Sequence, residues 1–378
     1  MEKMFSFTFI MAILSAIVGA GFASGKEIYT FFAKFNFWSI PFVFVCGVLF
    51  FCVFFVFAKI GQKIRPKSIS DLTSKIFGKA GPVVDVAFVI SSFITIASML
   101  AGSDSAMQTV FGQSYNFCYA SIGICIVTVL IVSLGLKQIY KATNVLVPII
   151  LFAILLVSGI FLFLKPKQSA SSIAFSGSAF EMVLSPILYV AMNSFTNIFI
   201  IAKSGIYLGK GQTKKASFLS AGILTGMILL TLVCILLGGD DVILADMPML
   251  QLAFSLGNVY GILYSIILLL AIFTTIIVTT FAIVSWLENF VKNKFLCCVL
   301  TLFVGFVFSR FGFSTIVDIF YPLEGVFGAI FIVYAAIFYF KSKSKEQIVK
   351  KSKVNLSVEQ DKNFSKNKKI DNSKDKRI

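Results

Sequence analysis

Histidine is absent from this sequence of 378 residues. That removes the commonest transition-metal ligand and the usual general base at neutral pH. The seven cysteines (Cys46, Cys52, Cys118, Cys125, Cys234, Cys297 and Cys298) all lie inside apolar runs, without metal-ligand spacing. Neither a zinc site nor a disulfide framework is expected, and they read as small apolar side chains. No G-x-x-x-x-G-K-[ST] run is present to bind nucleotide phosphates. No DNA-binding motif accompanies the basic surplus, so a nucleic-acid partner is not expected. With no clustered catalytic dyad either, no enzymatic activity and no organic cofactor are expected. Charge itself is scarce: Asp, Glu, Lys and Arg make up 13% of the chain. A soluble domain of this length needs far more polar surface.

What is abundant is apolar. Hydrophobic residues make up 58% of the chain, Phe alone occurs 44 times, and the mean hydropathy is +0.94. A bilayer core of about 30 Å is crossed by about 20 apolar residues at 1.5 Å rise each. Runs near 5–33, 38–60, 82–112, 115–135, 139–164, 180–204, 214–238, 255–287, 294–309 and 314–340 meet or approach that length. The spacing therefore predicts an all-α integral membrane protein of ten transmembrane helices. The first run continues past Gly25 without a clear small-residue cleavage site, so a removable signal peptide is not expected. The stretch from Asp240 to Ala253 is too short and acidic to span, and reads as a surface helix or loop.

Positive charge sets the expected orientation. With the N-terminus inside, 28 of the 33 Lys and Arg residues fall on the cytoplasmic side, leaving Lys26, Lys34, Lys165, Lys167 and Arg310 outside. Both termini are then cytoplasmic, in the cell (inner) membrane. Residues 341–378 carry 13 basic and 5 acidic residues and read as a disordered basic tail held near anionic lipid. Residues 1–340 form the membrane domain. Five helices per half (about 5–164 and 180–340) would place the second half in the membrane upside down, a 5+5 inverted repeat.

Two runs carry helix-breaking chemistry. The first contains Gly19-Ala20-Gly21-Phe22-Ala23-Ser24-Gly25, and each glycine disfavours helix by roughly 1 kcal/mol relative to alanine. Two readings are open on the glycines alone: unwound backbone lining a cavity, or close packing through small residues. The sixth run carries Ser185-Pro186 and then Tyr189 to Ser194. Proline removes a backbone donor, and Asn193 or Ser194 is suited to cap a restarted half-helix. Discontinuous helices 1 and 6 at matching places in the two halves point to a central binding site. In the eighth run, Thr274-Thr275 and Thr279-Thr280 are read either as hydroxyls bonded to their own helix or as oxygen ligands for a hard cation.

These features together resemble the amino acid–polyamine–organocation (APC) superfamily, with its LeuT-type fold, over about residues 5–340. The Gly-Ala-Gly-Phe-Ala-Ser-Gly-Lys-Glu-Ile run looks most like YkvI-type permeases within it. The resemblance implies a secondary active transporter of an amino acid or related small solute, working by alternating access around helices 1 and 6. Its partners would be that solute and membrane lipid. It implies substrate contacts from Gly19, Ala20, Gly21, Tyr189, Ala191, Asn193 and Ser194. It also implies a coupling sodium ion held by the carbonyls of Ser15, Val18 and Ala271 and the hydroxyls of Thr274 and Thr275. Phe22 stands where some relatives have a sodium-binding asparagine, which speaks against a second sodium site. Lys26 and Asp318 are expected to pair as an outer gate, or as a static ion pair. Glu324, at mid-depth of helix 10, is expected as a proton-coupling or a structural acid, since a charge at the helix centre costs about 2.5–3.5 kcal/mol. A second reading is a non-transporting sensor subunit on the same fold.

Overall fold

In a computed structural model, residues 2–112, 118–134, 139–164, 177–209, 211–288 and 291–341 are described. The calls on Lys137, Lys165, Lys167 and the tail 342–378 lie outside the described residues or side chains. By internal contacts the chain divides into Met1–Ile332 and Val333–Ile378. The first unit holds the helical bundle. The described part of the second is helical through Lys341.

Among the described residues the structure is helical and without strands. Six segments are long and apolar enough to cross a membrane: Ala33–Ile64, Ile69–Phe111, Ala179–Gly205, Gln212–Leu237, Asn258–Leu287 and Phe313–Lys341. Four shorter apolar helices, Ser6–Ile17, Tyr119–Val132, Pro148–Leu164 and Lys294–Ser309, occupy the other expected runs.

The first run is broken, as its glycines predict. α1 (Glu2–Ile17) stops, Gly19 takes an extended conformation, α2 (Ala20–Ser24) follows, and α3 (Lys26–Phe31) begins after Gly25. Gly25 has φ +81°, the left-handed region that a side chain disfavours, and an added Cβ would stand 2.8 Å from Met249 Cγ. At the first break the Gly19 N–H bonds to the Ile17 carbonyl, not to that of Ser15 four residues back. A 3₁₀ stretch (Ala33–Ser39) leads into α4 (Ile40–Ile64). The amphipathic α5 (Ile69–Phe77) is capped by Ser68, whose hydroxyl accepts the Asp71 N–H. α6 (Gly81–Phe111), α7 (Tyr119–Leu134) and α8 (Ile139–Leu164) complete the first half.

The sixth run corrects the expectation of a second break. α9 (Ala179–Gly205) is one uninterrupted helix with Pro186 inside it. Its polar side chains bond back along the same helix: Asn193 Nδ2 donates to the Tyr189 carbonyl at 3.1 Å, and Asn197 Nδ2 to that of Asn193 at 2.9 Å. The Thr196 hydroxyl likewise donates to the Met192 carbonyl at 3.2 Å. Asn193 therefore bonds back along its own helix and caps nothing. α10 (Gln212–Leu237) follows.

The Asp240–Ala253 stretch does not span, and only its first part, with Asp241, Leu244 and Asp246 exposed, lies at the surface as expected; the second part is buried. The stretch forms α11 (Asp240–Ile243) and α12 (Pro248–Leu256), with Met249, Leu250, Leu252 and Ala253 fully buried. Its apolar side chains press against α13 (Asn258–Leu287) and the broken first helix. α14 (Lys294–Ser309) and α15 (Phe313–Lys341) close the bundle, and α15 carries a π turn at Ile316–Phe320. Two aromatic clusters fill the core. Tyr189 sits among Phe31, Phe32 and Phe50, with ring centroids 5.3–6.0 Å apart. Phe331 sits among Phe57, Phe77 and Phe195 at 4.8–6.1 Å.

Candidate functional site: a central cavity closed at one end

The break in the first helix opens onto a cavity of about 1100 Å³. Its inner wall is formed by Gly19, Ala20 and Gly21 from the break, Met192 and Asn193 from α9, and Thr275 from α13. Glu27, Tyr321 and Glu324 line it as well. From there it runs to a rim at Lys67, Ser68, Lys203 and Tyr207, all exposed. α4, with 25 residues, separates that rim from the Lys26 end by about 37 Å at 1.5 Å per residue.

The opposite end is laced shut. Lys26 Nζ lies 3.0 Å from Asp318 Oδ2, and the Thr30 hydroxyl donates to Asp318 Oδ1 at 2.5 Å. The Lys26 ammonium also sits 4.5 Å from the centre of the Tyr29 ring. Beside this pair, Asp246 accepts from the Ser105 hydroxyl at 2.9 Å and from the Ser314 hydroxyl. Arg310 lies 3.0 Å from Asp104, and Lys34 pairs with Glu181 at 3.6 Å. The π turn carries Asp318 toward the break; one residue of extra helical circumference sets where that carboxylate points.

The expected substrate residues divide. Gly19, Ala20, Gly21 and Asn193 line the cavity. Tyr189, Ala191 and Ser194 are buried away from its wall, and the Tyr189 and Ser194 hydroxyls have no hydrogen-bond partner. Of the expected sodium ligands, only Thr275 lines the cavity, across from Ile17 and Gly19. Thr274 and Thr275 both donate to the Ala271 carbonyl, at 3.0 and 2.9 Å, and the Ser15 hydroxyl donates to the Ala12 carbonyl at 3.0 Å. Glu324 is buried on the wall and accepts from the Ser91 hydroxyl at 2.7 Å.

Sequence reasoning missed Glu27 and Asp85. Asp85 lines the cavity and accepts from Thr73 at 2.7 Å. Glu27 turns back so that a Cβ on Gly21 would overlap its Oε1. The signal for Glu27 was its place two residues after the second helix-breaking glycine, where a turn of the chain redirects the side chain.

A broken first helix and a central cavity sit within an all-helical bundle of apolar segments, and comparison with known proteins identifies similar membrane proteins and folds. No family model matches the chain. It is 25% identical over 327 residues to the uncharacterized membrane protein YkvI of Bacillus subtilis (strain 168), covering 84% of this chain and 92% of that one. To the uncharacterized protein YyaD of the same organism it is 25% identical over 350 residues, covering 89% and 97%. Among solved structures, MhsT in complex with L-phenylalanine superposes with a TM-score of 0.58 at 17% identity, over 88% of this chain and 87% of that one. A manganese transporter mutant from Eremococcus coleocola superposes with a TM-score of 0.57 at 12% identity, over 89% and 78%. These likenesses show an all-helical fold of LeuT type.

Proposed function

We propose that the chain is a secondary transporter that carries an amino acid or related small solute across the membrane in symport with sodium. The observation that carries this reading is a cavity that starts at a broken helix, runs to an exposed rim at one end, and is closed by the Lys26–Asp318 pair at the other. The two similar solved structures, one holding L-phenylalanine and one a manganese transporter, support transport over catalysis. In this reading all ten apolar helices cross the bilayer as a 5+5 inverted repeat, with both termini and the Lys67–Lys203 rim cytoplasmic. The structure then corresponds to an inward-open state with Lys26 and Asp318 as the closed outer gate. Alternating access works around the one broken helix, α1–α3, moving against an unbroken α9. Cargo lies against Gly19, Ala20, Gly21 and Asn193. Sodium binds beside the end of α1 when Thr274 and Thr275 turn their lone pairs toward the Ser15 and Val18 carbonyls; the Ala271 carbonyl completes the set.

The test is uptake by purified protein in liposomes, screened with the twenty common amino acids under an inward sodium gradient, an inward proton gradient, or neither. Accumulation that needs sodium supports the reading. Accumulation driven by protons alone removes sodium and keeps the carrier. Ligand-induced thermal stabilisation without uptake under any gradient replaces the carrier with a sensor.

A further inference from the structure

Apolar side chains and glycine or alanine backbone make up most of the inner cavity wall, yet Glu27 and Glu324 bring two carboxylates to it. Glu27 is 7% exposed and Glu324 is 5% exposed. Glu324 has the Ser91 hydroxyl as donor. Glu27 differs: its Oε2 is buried without a hydrogen-bond partner among the described residues, while its Oε1 lies against Gly21 in the helix break. Both carboxyl side chains line the same cavity. The cations nearby are engaged or distant. Lys26, adjacent in sequence, is paired to Asp318, and Lys67 and Lys203 stand at the exposed rim. Among the described residues no three His, Cys, Asp or Glu side chains gather as a metal site would need.

A carboxylate held out of water with neither a donor nor a counter-charge costs several kcal/mol. At Glu27 that cost falls on a cavity wall, where a bound molecule can offset it. We infer that Glu27 is the counter-ion for a positively charged amino group on the cargo, with Glu324 adding negative potential to the same subsite. An ammonium brings three donors. One is taken by Glu27 Oε2, and the others reach backbone carbonyls released where the helix breaks between Ile17 and Ala20. The missing side chain at Gly21 is what lets the Glu27 carboxyl approach that backbone. Cargo without a cationic nitrogen leaves the Glu27 site unpaired and binds poorly. This deepens the transport reading and rests on it only for the movement of the cargo; recognition stands on the geometry.

The test uses the full chain, purified in detergent, with ligand protection followed as a rise in thermal stability. Three ligand sets are compared at equal concentration: the twenty common amino acids, a mixture of primary alkyl amines, and the desamino carboxylic acids matching the amino acids. The amino acids and the amines are expected to protect at concentrations at least fivefold lower than the desamino acids. Glu27→Gln is expected to weaken binding of the protecting amines at least tenfold in a thermal-shift titration, with Glu27→Asp between it and the parent. Equal protection by desamino acids, no protection by any mixture, or parental amine affinity in Glu27→Gln overturns the inference. If Glu27→Gln does not fold, the protection pattern of the parent protein decides alone. Uptake measured on the same preparation separates the two claims: protection without uptake ends the transport reading and leaves the amine site, and uptake without protection does the reverse.

Discussion

Asp318, Thr30 and the Tyr29 ring gather around the buried Lys26 side chain at the closed end of the cavity. The Lys26 side chain is 7% exposed and that of Asp318 is 41% exposed, so the lysine depends on the pair more than the aspartate does. Asp318→Asn leaves the ammonium with a weaker partner. It is expected to lower stability by about 1–2 kcal/mol in denaturant titrations, a value discounted because water already reaches Asp318. Lys26→Met in the same chain should recover most of that loss, since removing both charges leaves none buried alone; an additive further loss contradicts a partnership. The hydroxyl at Thr275 makes a separate prediction. Thr275→Val preserves shape but removes the oxygen, and should raise the sodium concentration for half-maximal uptake at least tenfold, read from uptake against sodium at fixed cargo. An unchanged sodium dependence would place the ion elsewhere.

At the scale of helices, glycine and proline proved unequal guides. Three glycines break the first helix because each released constraint is used: Gly19 turns extended, Gly21 admits the Glu27 carboxyl, and Gly25 takes a left-handed turn. Pro186 marked an expected break that does not exist: α9 runs through it, and the Asn and Thr side chains beyond it bond back to carbonyls of their own helix. The contrast is tested by substitution. Gly25→Ala meets both the left-handed backbone and Met249 and should cost about 1–3 kcal/mol, with reduced yield of folded protein. Pro186→Ala restores the donor to an intact helix and should raise the melting temperature while uptake persists. Uptake abolished in a well-folded Pro186→Ala protein would make Pro186 a hinge after all. The positions of the apolar runs were legible from the sequence because lipid demands a length and composition that little else satisfies. The side-chain geography of the site was less so. Glu27 and Tyr189 are apolar-run residues whose aim depends on a break and on neighbouring helices, Phe31, Phe32 and Phe50 drawing the Tyr189 ring off the cavity wall. The burial of α12 also escaped notice, because a nine-residue helix is too short for a span and its fit under the first helix is set by distant chain.

For the molecule as a whole, the asymmetry between its two ends is the main prediction. A single cysteine at Asn197, in a background with the seven native cysteines replaced, should react with a membrane-impermeant maleimide from the cytoplasmic face of inside-out vesicles. It should react at least tenfold more slowly in right-side-out cells. Adding Asp318→Asn should narrow that ratio by loosening the outer latch, and equal rates from both faces in the parent would remove the inward-open reading. The π turn at Ile316–Phe320 has a consequence of its own. Because a helix advances about 100° per residue, one surplus residue in that turn fixes the compass bearing of Asp318 relative to everything after it. Deleting Ile319 would rewind the segment to an ordinary helix and swing the aspartate a quarter-turn or more off its lysine. The latch thus depends on a count of residues as much as on their chemistry, and a length change there should open a door that no change of charge has touched.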